Sequence, residues 1–209
     1  MVDYTPRRSV YGGVFKRVFD LVFVLAASIM VVPLVLLVAV VVMLDGGSPF
    51  YVQRRVGKNG RVFSMFKLRS MVPDADRKLA EYLEANPAAL EEWNRAQKLR
   101  YDPRTTRIGR LIRKTSLDEL PQFWNVFRGD MSVVGPRPMM PSQRDLYPGQ
   151  AYYALKPGVT GFWQIGDRNE TSFAARARYD ADYYDRMSFV TDLLVIMNTV
   201  RVVLRGTGV

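Results

Sequence analysis

Asp118 and Glu119 stand side by side in a stretch, Arg110 to Pro138, that reads RLIRKTSLDELPQFWNVFRGDMSVVGPRP. Arg110, Arg113, Lys114, Arg128 and Arg137 surround them, more cations than two carboxylates need as partners. Arginine and lysine serve phosphates, arginine through its bidentate fork. Gly135-Pro136-Arg137-Pro138 is a rigid, non-helical tetrapeptide that fixes one guanidinium in place. A carboxylate pair within such a ring suits Mg2+-assisted phosphoryl chemistry, with Asp118 and Glu119 as the metal-associated acids. The cations offset phosphate charge and let an anionic nucleophile approach. An aspartate can attack phosphorus directly and form an acyl phosphate.

The same acids have a structural reading. Ser116-Leu117-Asp118-Glu119 has the form of a capping box, with Ser at the N-cap and Glu at N3. The helix dipole also favours negative charge in a first turn. Pro121 weighs on the other side, because it falls just inside that helix and removes a backbone donor. Breaks of local rules mark places where function overrides stability.

Two absences narrow the chemistry. The chain has no Cys and no His, which excludes thiolate nucleophiles, Ser-His-Asp triads and the common zinc sites. Catalysis falls to carboxylates, Lys, Tyr, hydroxyls or a hard metal held by oxygens. The 209 residues carry a net charge of +10, from 30 Lys and Arg against 20 Asp and Glu. That balance calls for an anionic partner: nucleic acid, acidic lipid or a phosphorylated substrate. Hydrophobic residues at 48% are ample for a packed core.

A second polar cluster runs from Lys156-Pro157-Gly158-Val159-Thr160-Gly161 through Trp163-Gln164 to Arg168-Asn169. Its donors, aromatic ring and guanidinium could hold a nucleotide, or form an ordinary surface turn. Asp180, Asp182, Tyr183, Tyr184 and Asp185 make an acidic-aromatic patch whose default is a solvated face.

Several elements must position these residues. Leu21 to Leu44 is apolar except for Ser28 and Pro33, long enough to cross a bilayer. Pro33 has no N–H for the carbonyl of Ile29, so a break is expected there, with Ser28 near enough to satisfy freed carbonyls. Arg7, Arg8, Lys16 and Arg17 precede the run, and Arg54, Arg55, Lys58 and Arg61 follow it. Basic flanks on both sides oppose translocation of either end. A helix–break–helix wedge entering one leaflet fits these features, as does a single span with a tolerated kink. Pro49–Arg55 and Arg61–Phe66 read as a hairpin around Gly57-Lys58-Asn59-Gly60. Asp74–Leu99 is helical in pattern and divided at Asn86-Pro87, with Asn as N-cap. Leu193, Leu194, Ile196, Met197, Val200, Val203 and Leu204 share one face of a last helix, beside Arg201 and Arg205. That helix suits either a core or a membrane interface. The expected class is α+β, mainly α with a short β-hairpin and amphipathic interfacial helices. Residues 1–48 would form the N-terminal segment and membrane helix, and 49–209 a membrane-associated catalytic domain.

At these motifs the chain resembles the monotopic phosphoglycosyl transferases, or bacterial sugar transferases, in their exopolysaccharide-initiating branch. The resemblance covers nearly the whole chain. It rests on Phe66-Lys67-Leu68-Arg69-Ser70-Met71, Thr115 to Gln122, Gly129-Asp130-Met131-Ser132, Val134 to Pro138 and Pro157 to Gly161, in the family's order. It implies a re-entrant helix broken at Pro33, with both ends on the cytoplasmic face of a bacterial inner membrane. It implies a ping-pong reaction in which Asp118 attacks the β-phosphate of a UDP-sugar and expels UMP. Undecaprenyl phosphate then takes the sugar phosphate. Glu119 is the Mg2+-associated partner acid; Lys67, Arg69, Arg113 and Arg137 are expected near phosphates. Arg168 and Asn169 fall in the nucleotide-side motif, and Asp180 matches a later family acid. Anionic lipids are expected partners, a homodimer is compatible, and nucleic acid is not expected. The sugar would be galactose or glucose 1-phosphate. The sequence departs from the pattern at Val32, where Ser is usual before the Pro, at Asp167 in place of Gly, and at Met187 in place of Trp. The rivals are a membrane-tethered nucleic-acid binder and a non-catalytic glycan-assembly scaffold. Neither accounts for the Asp118-Glu119 setting.

Overall fold

The computed structural model describes residues 11–166 and 172–204. After a π-helical turn at Tyr11–Phe15, the apolar run forms one helix, α1 (Lys16–Met43), of 28 residues. It passes through Pro33 without interruption, so the structure has one continuous helix and not the two arms expected. The Ser28 hydroxyl donates to the Leu25 carbonyl at 2.7 Å, one turn back, rather than serving the Ile29 carbonyl that Pro33 leaves without a partner. At ~1.5 Å per residue α1 is about 42 Å long.

Both ends of α1 are tied to the same body of protein. At the start, Lys16 Nζ lies 2.6 Å from Asp192 Oδ2. Asp20 Oδ1 accepts from the Ser132 hydroxyl and the Val133 N–H, each at 3.0 Å. Arg17 donates to the Val126 and Phe127 carbonyls at 2.6 and 2.7 Å. At the far end, Arg69 Nη2 donates to the Val42 carbonyl at 3.1 Å and the Thr106 hydroxyl to Asp45 at 2.7 Å. Between them one stripe (Asp20, Val24, Val31, Val38 and Val42) is buried, the near-heptad spacing of a helix packed along one face. The opposite face is bare: Ile29 is 82% exposed, Met30 70% and Leu37 64%. About ten large apolar side chains held in water would cost on the order of 10 kcal/mol. That rivals the whole stability of a domain, so this face requires an apolar phase.

β1 (Phe50–Val56) and β2 (Val62–Leu68) form an antiparallel hairpin, in register from Phe50↔Leu68 to Val56↔Val62. It lies where the alternation placed it, one or two residues along. Asn59 and Gly60, at φ 57° and 74°, turn the chain. α2 (Ala75–Ala85) and α3 (Pro87–Ala96) divide at Asn86 as expected. Asn86 stands at the N-cap of α3 with Pro87 first in the helix, as expected, but its side chain makes no capping bond and its amide donates back to the Tyr82 carbonyl at 2.8 Å. α4 (Arg107–Lys114) and α5 (Gln122–Arg128) carry the motif region. Then come β3 (Ser132–Val134), α6 (Ala151–Ala154), β4 (Gly158–Thr160), α7 (Phe162–Ile165), α8 (Arg176–Arg186) and α9 (Phe189–Leu204).

β3 and β4 form a parallel pair that sequence patterning did not foresee, Ser132↔Gly158 and Val134↔Thr160. The backbones approach too closely for side chains: a Cβ on Gly135 would lie 2.3 Å from the Lys156 carbonyl. The core of Met65, Val126, Met131, Val133, Val134, Leu155, Tyr183 and Val195 closes around this pair and takes in Val24 of α1. α9 buries Asp192 and Val195 but exposes Val190, Leu194, Met197 and Val200. Leu111, Trp124 and Phe127 on α4 and α5 are exposed as well. The structure is α+β, mainly helical, with apolar faces on several amphipathic helices.

Asp192 is fully buried and also accepts from the Tyr183 hydroxyl at 2.7 Å. Removing one partner of a buried ion pair strands the other charge, at a cost of about 3–5 kcal/mol. Asp192→Ala, followed by thermal unfolding in detergent, is expected to lose that much stability. A variant as stable as wild type would show that this pair does not hold α1 to the body.

Candidate active site

The site begins with how α4 ends. The Thr106 hydroxyl caps α4 by accepting from Gly109 N–H at 2.9 Å. Gly109 lets that helix sit against the chain leaving β2, where a Cβ would meet the Ser70 carbonyl at 1.9 Å. Ser116 then takes a left-handed conformation, φ 57°, and turns the chain sharply. Leu117–Glu119 follows as a single 3-10 turn, and α5 starts only at Gln122. The capping-box reading is therefore corrected: Ser116 makes no capping bond, and the two acids precede α5 instead of lying in its first turn. Pro121, at φ −61°, stands just before that helix, where no backbone donor is needed.

A residue passed over in the sequence holds this turn against the hairpin. Asn125 is fully buried; its Oδ1 accepts from Phe66 N–H at 3.0 Å and its Nδ2 donates to the Ser64 carbonyl at 2.7 Å. The amide thus replaces two missing ladder partners on β2 and places Lys67 over the acids. Its only sequence signal was a polar residue on the inward face of a short helix.

Lys67 Nζ lies 2.8 Å from Glu119 Oε1 and 3.7 Å from Asp118 Oδ2. Arg137 Nη2 reaches the same Glu119 oxygen at 3.3 Å. Asp118 is 6% exposed and accepts no hydrogen bond from another described residue. Burial raises its pKa, the nearby Lys67 charge opposes the rise and Glu119 adds to it, while Arg113 and Arg137 also favour the anion. Glu119 is thus committed to two cations while the buried Asp118 oxygens remain available for bond formation. A buried carboxylate with little solvation to lose is a competent nucleophile.

The other candidate residues are placed as follows. Arg113 donates to the Thr105 hydroxyl at 3.0 Å and lies 3.7 Å from Asp102, on the Asp118 side of the site. Asp102 is itself held by Arg104; burial pushes its pKa up, but the Arg104 bonds more than offset this and leave it low. Arg69 donates to the Val42 carbonyl at the end of α1. Asp180 is buried on α8, accepting from the Tyr147 hydroxyl at 2.6 Å; burial pushes its pKa up to about 7. Arg168 and Asn169 lie outside the described residues.

Arg137 is carried away from Glu119 toward a second group. Its guanidinium lies 5.5 Å from the Trp163 ring centre, and that of Arg176 lies 4.2 Å from the same ring. Arg55 on β1 donates to the Pro138 carbonyl at 3.2 Å, next to Arg137. Arg55 was read from sequence only as part of the basic flank after the apolar run, and Arg176 was not singled out. The available signals were strand alternation toward Lys67's sheet and the four-residue helical spacing from Arg176 to Asp180.

Two adjacent carboxylates fit a Mg2+ that completes its shell with substrate phosphates and water, since this ion is usually held by one or two protein carboxylates. Among the described residues no cluster of three or more acids offers a cage for a metal.

A buried aspartate ringed by cations, on a body seated along a bare apolar helix, defines a membrane-associated protein equipped for phosphoryl chemistry. The model of the bacterial sugar transferase family matches residues 11–206, and the chain belongs to that family. It is 45% identical to exopolysaccharide production protein ExoY of Sinorhizobium fredii, over 94% of this chain and 88% of that protein. It is 45% identical to the UDP-galactose-lipid carrier transferase of Erwinia amylovora and 42% identical to the undecaprenyl-phosphate galactose phosphotransferase of Salmonella typhimurium. Each of those matches covers 92% of this chain and 41% of the relative.

The raised Asp180 pKa sets a stability dependence. Between its unfolded value near 4 and about 7, the folded chain keeps a proton that the unfolded chain has released. Stability therefore falls as pH rises through that window and levels off above it. Asp180→Asn has no such dependence, so from pH 5 to pH 8 it is expected to gain about 2–3 kcal/mol on wild type. Chemical denaturation at both pH values measures this, and a constant difference would contradict the assignment.

Proposed function

We propose that this protein transfers a hexose 1-phosphate from a UDP-sugar to undecaprenyl phosphate, releasing UMP, through a phospho-sugar intermediate on Asp118. The observation that carries the reading is the unequal treatment of the two acids. Glu119 is neutralised by Lys67 and Arg137, whereas Asp118 is buried, with Lys67 no nearer than 3.7 Å.

In the first half-reaction an Asp118 carboxylate oxygen forms a bond to the β-phosphorus. The bond from that phosphorus to the bridging oxygen breaks, and UMP leaves with the electron pair. In the second, a phosphate oxygen of the polyprenyl acceptor attacks the same phosphorus and expels the Asp118 carboxylate. The product is a polyprenyl-diphospho-sugar, and the enzyme is restored. Neither step needs a strong general base, in keeping with a chain that has no His. Lys67 and Arg137 hold the oxygens of the transferred phosphoryl group, where charge is carried through the transition state. Asp118 and Glu119 would hold Mg2+, which when bound neutralises phosphate charge.

The attachment of both α1 ends to one body supports a monotopic seat on the cytoplasmic face of the inner membrane. Charged residues bound at both ends (Lys16 and Asp20, then Asp45) are bonded to residues of the same domain. Crossing the bilayer would pull one set apart. Anionic lipids suit the net charge of +10. Galactose is the first donor to try, because two relatives named above are galactose enzymes.

The test uses detergent-solubilised protein with UDP-galactose or UDP-glucose, Mg2+ and undecaprenyl phosphate. Wild type is expected to release UMP, with Asp118→Asn at least 1000-fold slower and chelation of Mg2+ abolishing turnover. Release of UDP in place of UMP would exclude transfer of a sugar phosphate.

A further inference from the structure

Beyond the two acids the cationic ring continues past Arg137 to two arginines that the transfer described above does not yet use. Arg137 and Arg176 converge on Trp163, and Arg55 lies beside Arg137, bonded to the Pro138 carbonyl. Arg176 is sandwiched, its guanidinium 4.2 Å from the Trp163 ring centre and 4.6 Å from that of Phe173. Lys98 approaches the same indole at 5.9 Å. Among the described residues no carboxylate forms an ion pair with Arg55 or Arg176, and the Nε of each is buried without a hydrogen-bond partner. Their nearest acids are otherwise engaged. Glu119 is shared by Lys67 and Arg137, and Asp180 is bonded by Tyr147 with a raised pKa that favours its neutral form.

Packing alone does not account for this arrangement. Aromatic faces stabilise one guanidinium, but three like charges brought together repel, and buried N–H donors left without partners are costly. Burial and the charge of Arg137 lower the pKa of Arg55 to about 10 and that of Arg176 to about 9. Both remain cationic at neutral pH, so the group holds charge that an anion would satisfy. The bidentate fork of arginine suits phosphate oxygens.

The order of residues along the site identifies which phosphate. Lys67 and Arg137 both reach Glu119 and Arg113 acts on Asp118, whereas Arg55 and Arg176 lie close to Arg137. Phosphoryl transfer places the attacking and leaving oxygens in line, on opposite sides of phosphorus. The end of α1 packs against Ile112 and against Leu117, the residue before Asp118, so a lipid-borne phosphate enters there. We infer that Arg55 and Arg176, packed close to Arg137 and Trp163, form the subsite for the leaving nucleotide's phosphate, with Arg137 shared between it and the transferred phosphoryl group. This rests on the donor being a nucleoside diphosphate sugar.

The experiment measures binding of UMP and of uridine to the full chain in detergent, for wild type, Arg55→Met and Arg176→Met. Methionine keeps a stem against the aromatic rings, and the two variants are independent should one fail to fold. Each is expected to weaken UMP binding tenfold or more and to leave uridine binding unchanged, since uridine carries no phosphate. Unchanged UMP affinity in the folded variants would overturn the inference. So would weakened binding of a short polyprenyl phosphate with UMP unaffected, which would give the subsite to the acceptor. If wild type itself bound neither UMP nor uridine, the nucleotide donor would be wrong, and this inference with it.

Discussion

Everything at the site depends on one short contact, the Lys67 ammonium set 2.8 Å from Glu119 and 3.7 Å from Asp118. Two adjacent carboxylates on a 3-10 turn repel, and burying them raises the cost. Lys67 makes the arrangement tolerable, and because it is closer to Glu119 it leaves the pair asymmetric. For that to happen a strand must be held against a turn whose sequence neighbours are far away. The Asn125 amide does this, replacing backbone partners on β2 while standing on α5, three residues past its start at Gln122. The hairpin, the left-handed Ser116 and the late start of α5 all serve that placement.

The membrane helix is part of the same construction. Its first turns bond to β3 and α9 and its last turn to the segment between β2 and α4. β3 leads directly into Arg137, and α4 leads into the turn that holds the two acids. A transferase with one soluble and one lipid substrate needs its reacting phosphates at a fixed depth relative to the bilayer. Attaching the apolar helix at both ends of the domain provides that, with α4, α5 and α9 presenting further apolar faces.

Much of this was legible from sequence, for identifiable reasons. The hairpin followed from alternation around a Gly-Lys-Asn-Gly turn, and the division of α2 from α3 from Asn-Pro. The acids drew notice because their cationic surroundings exceeded what charge pairing needs. What was not legible depended on long-range contact. Asn125, Asp20 and Asp192 are polar residues that only tertiary structure buries and satisfies. The β3–β4 pair is three residues on each side, too short for any period to register, and its glycines signal close approach only once the partner backbone is known. Arg55 and Arg176 are more than a hundred residues apart and are brought together only by the tertiary fold around Arg137. The local rules also erred where they competed: Ser116 and Glu119 had capping-box spacing, yet α4 needed a sharp turn to end on and took Ser116 into the left-handed region.

The central claim, that Asp118 carries the sugar phosphate between donor and acceptor, is tested most directly by intact-protein mass spectrometry. The protein would be incubated with UDP-galactose and Mg2+ in the absence of undecaprenyl phosphate, then quenched in acid. The account predicts a species heavier by one hexose phosphate, located on the peptide containing Asp118, absent from Asp118→Asn, and discharged when undecaprenyl phosphate is added before the quench. Efficient turnover by wild type with no such adduct, and with transfer only when donor and acceptor are present together, would contradict it and point to direct displacement.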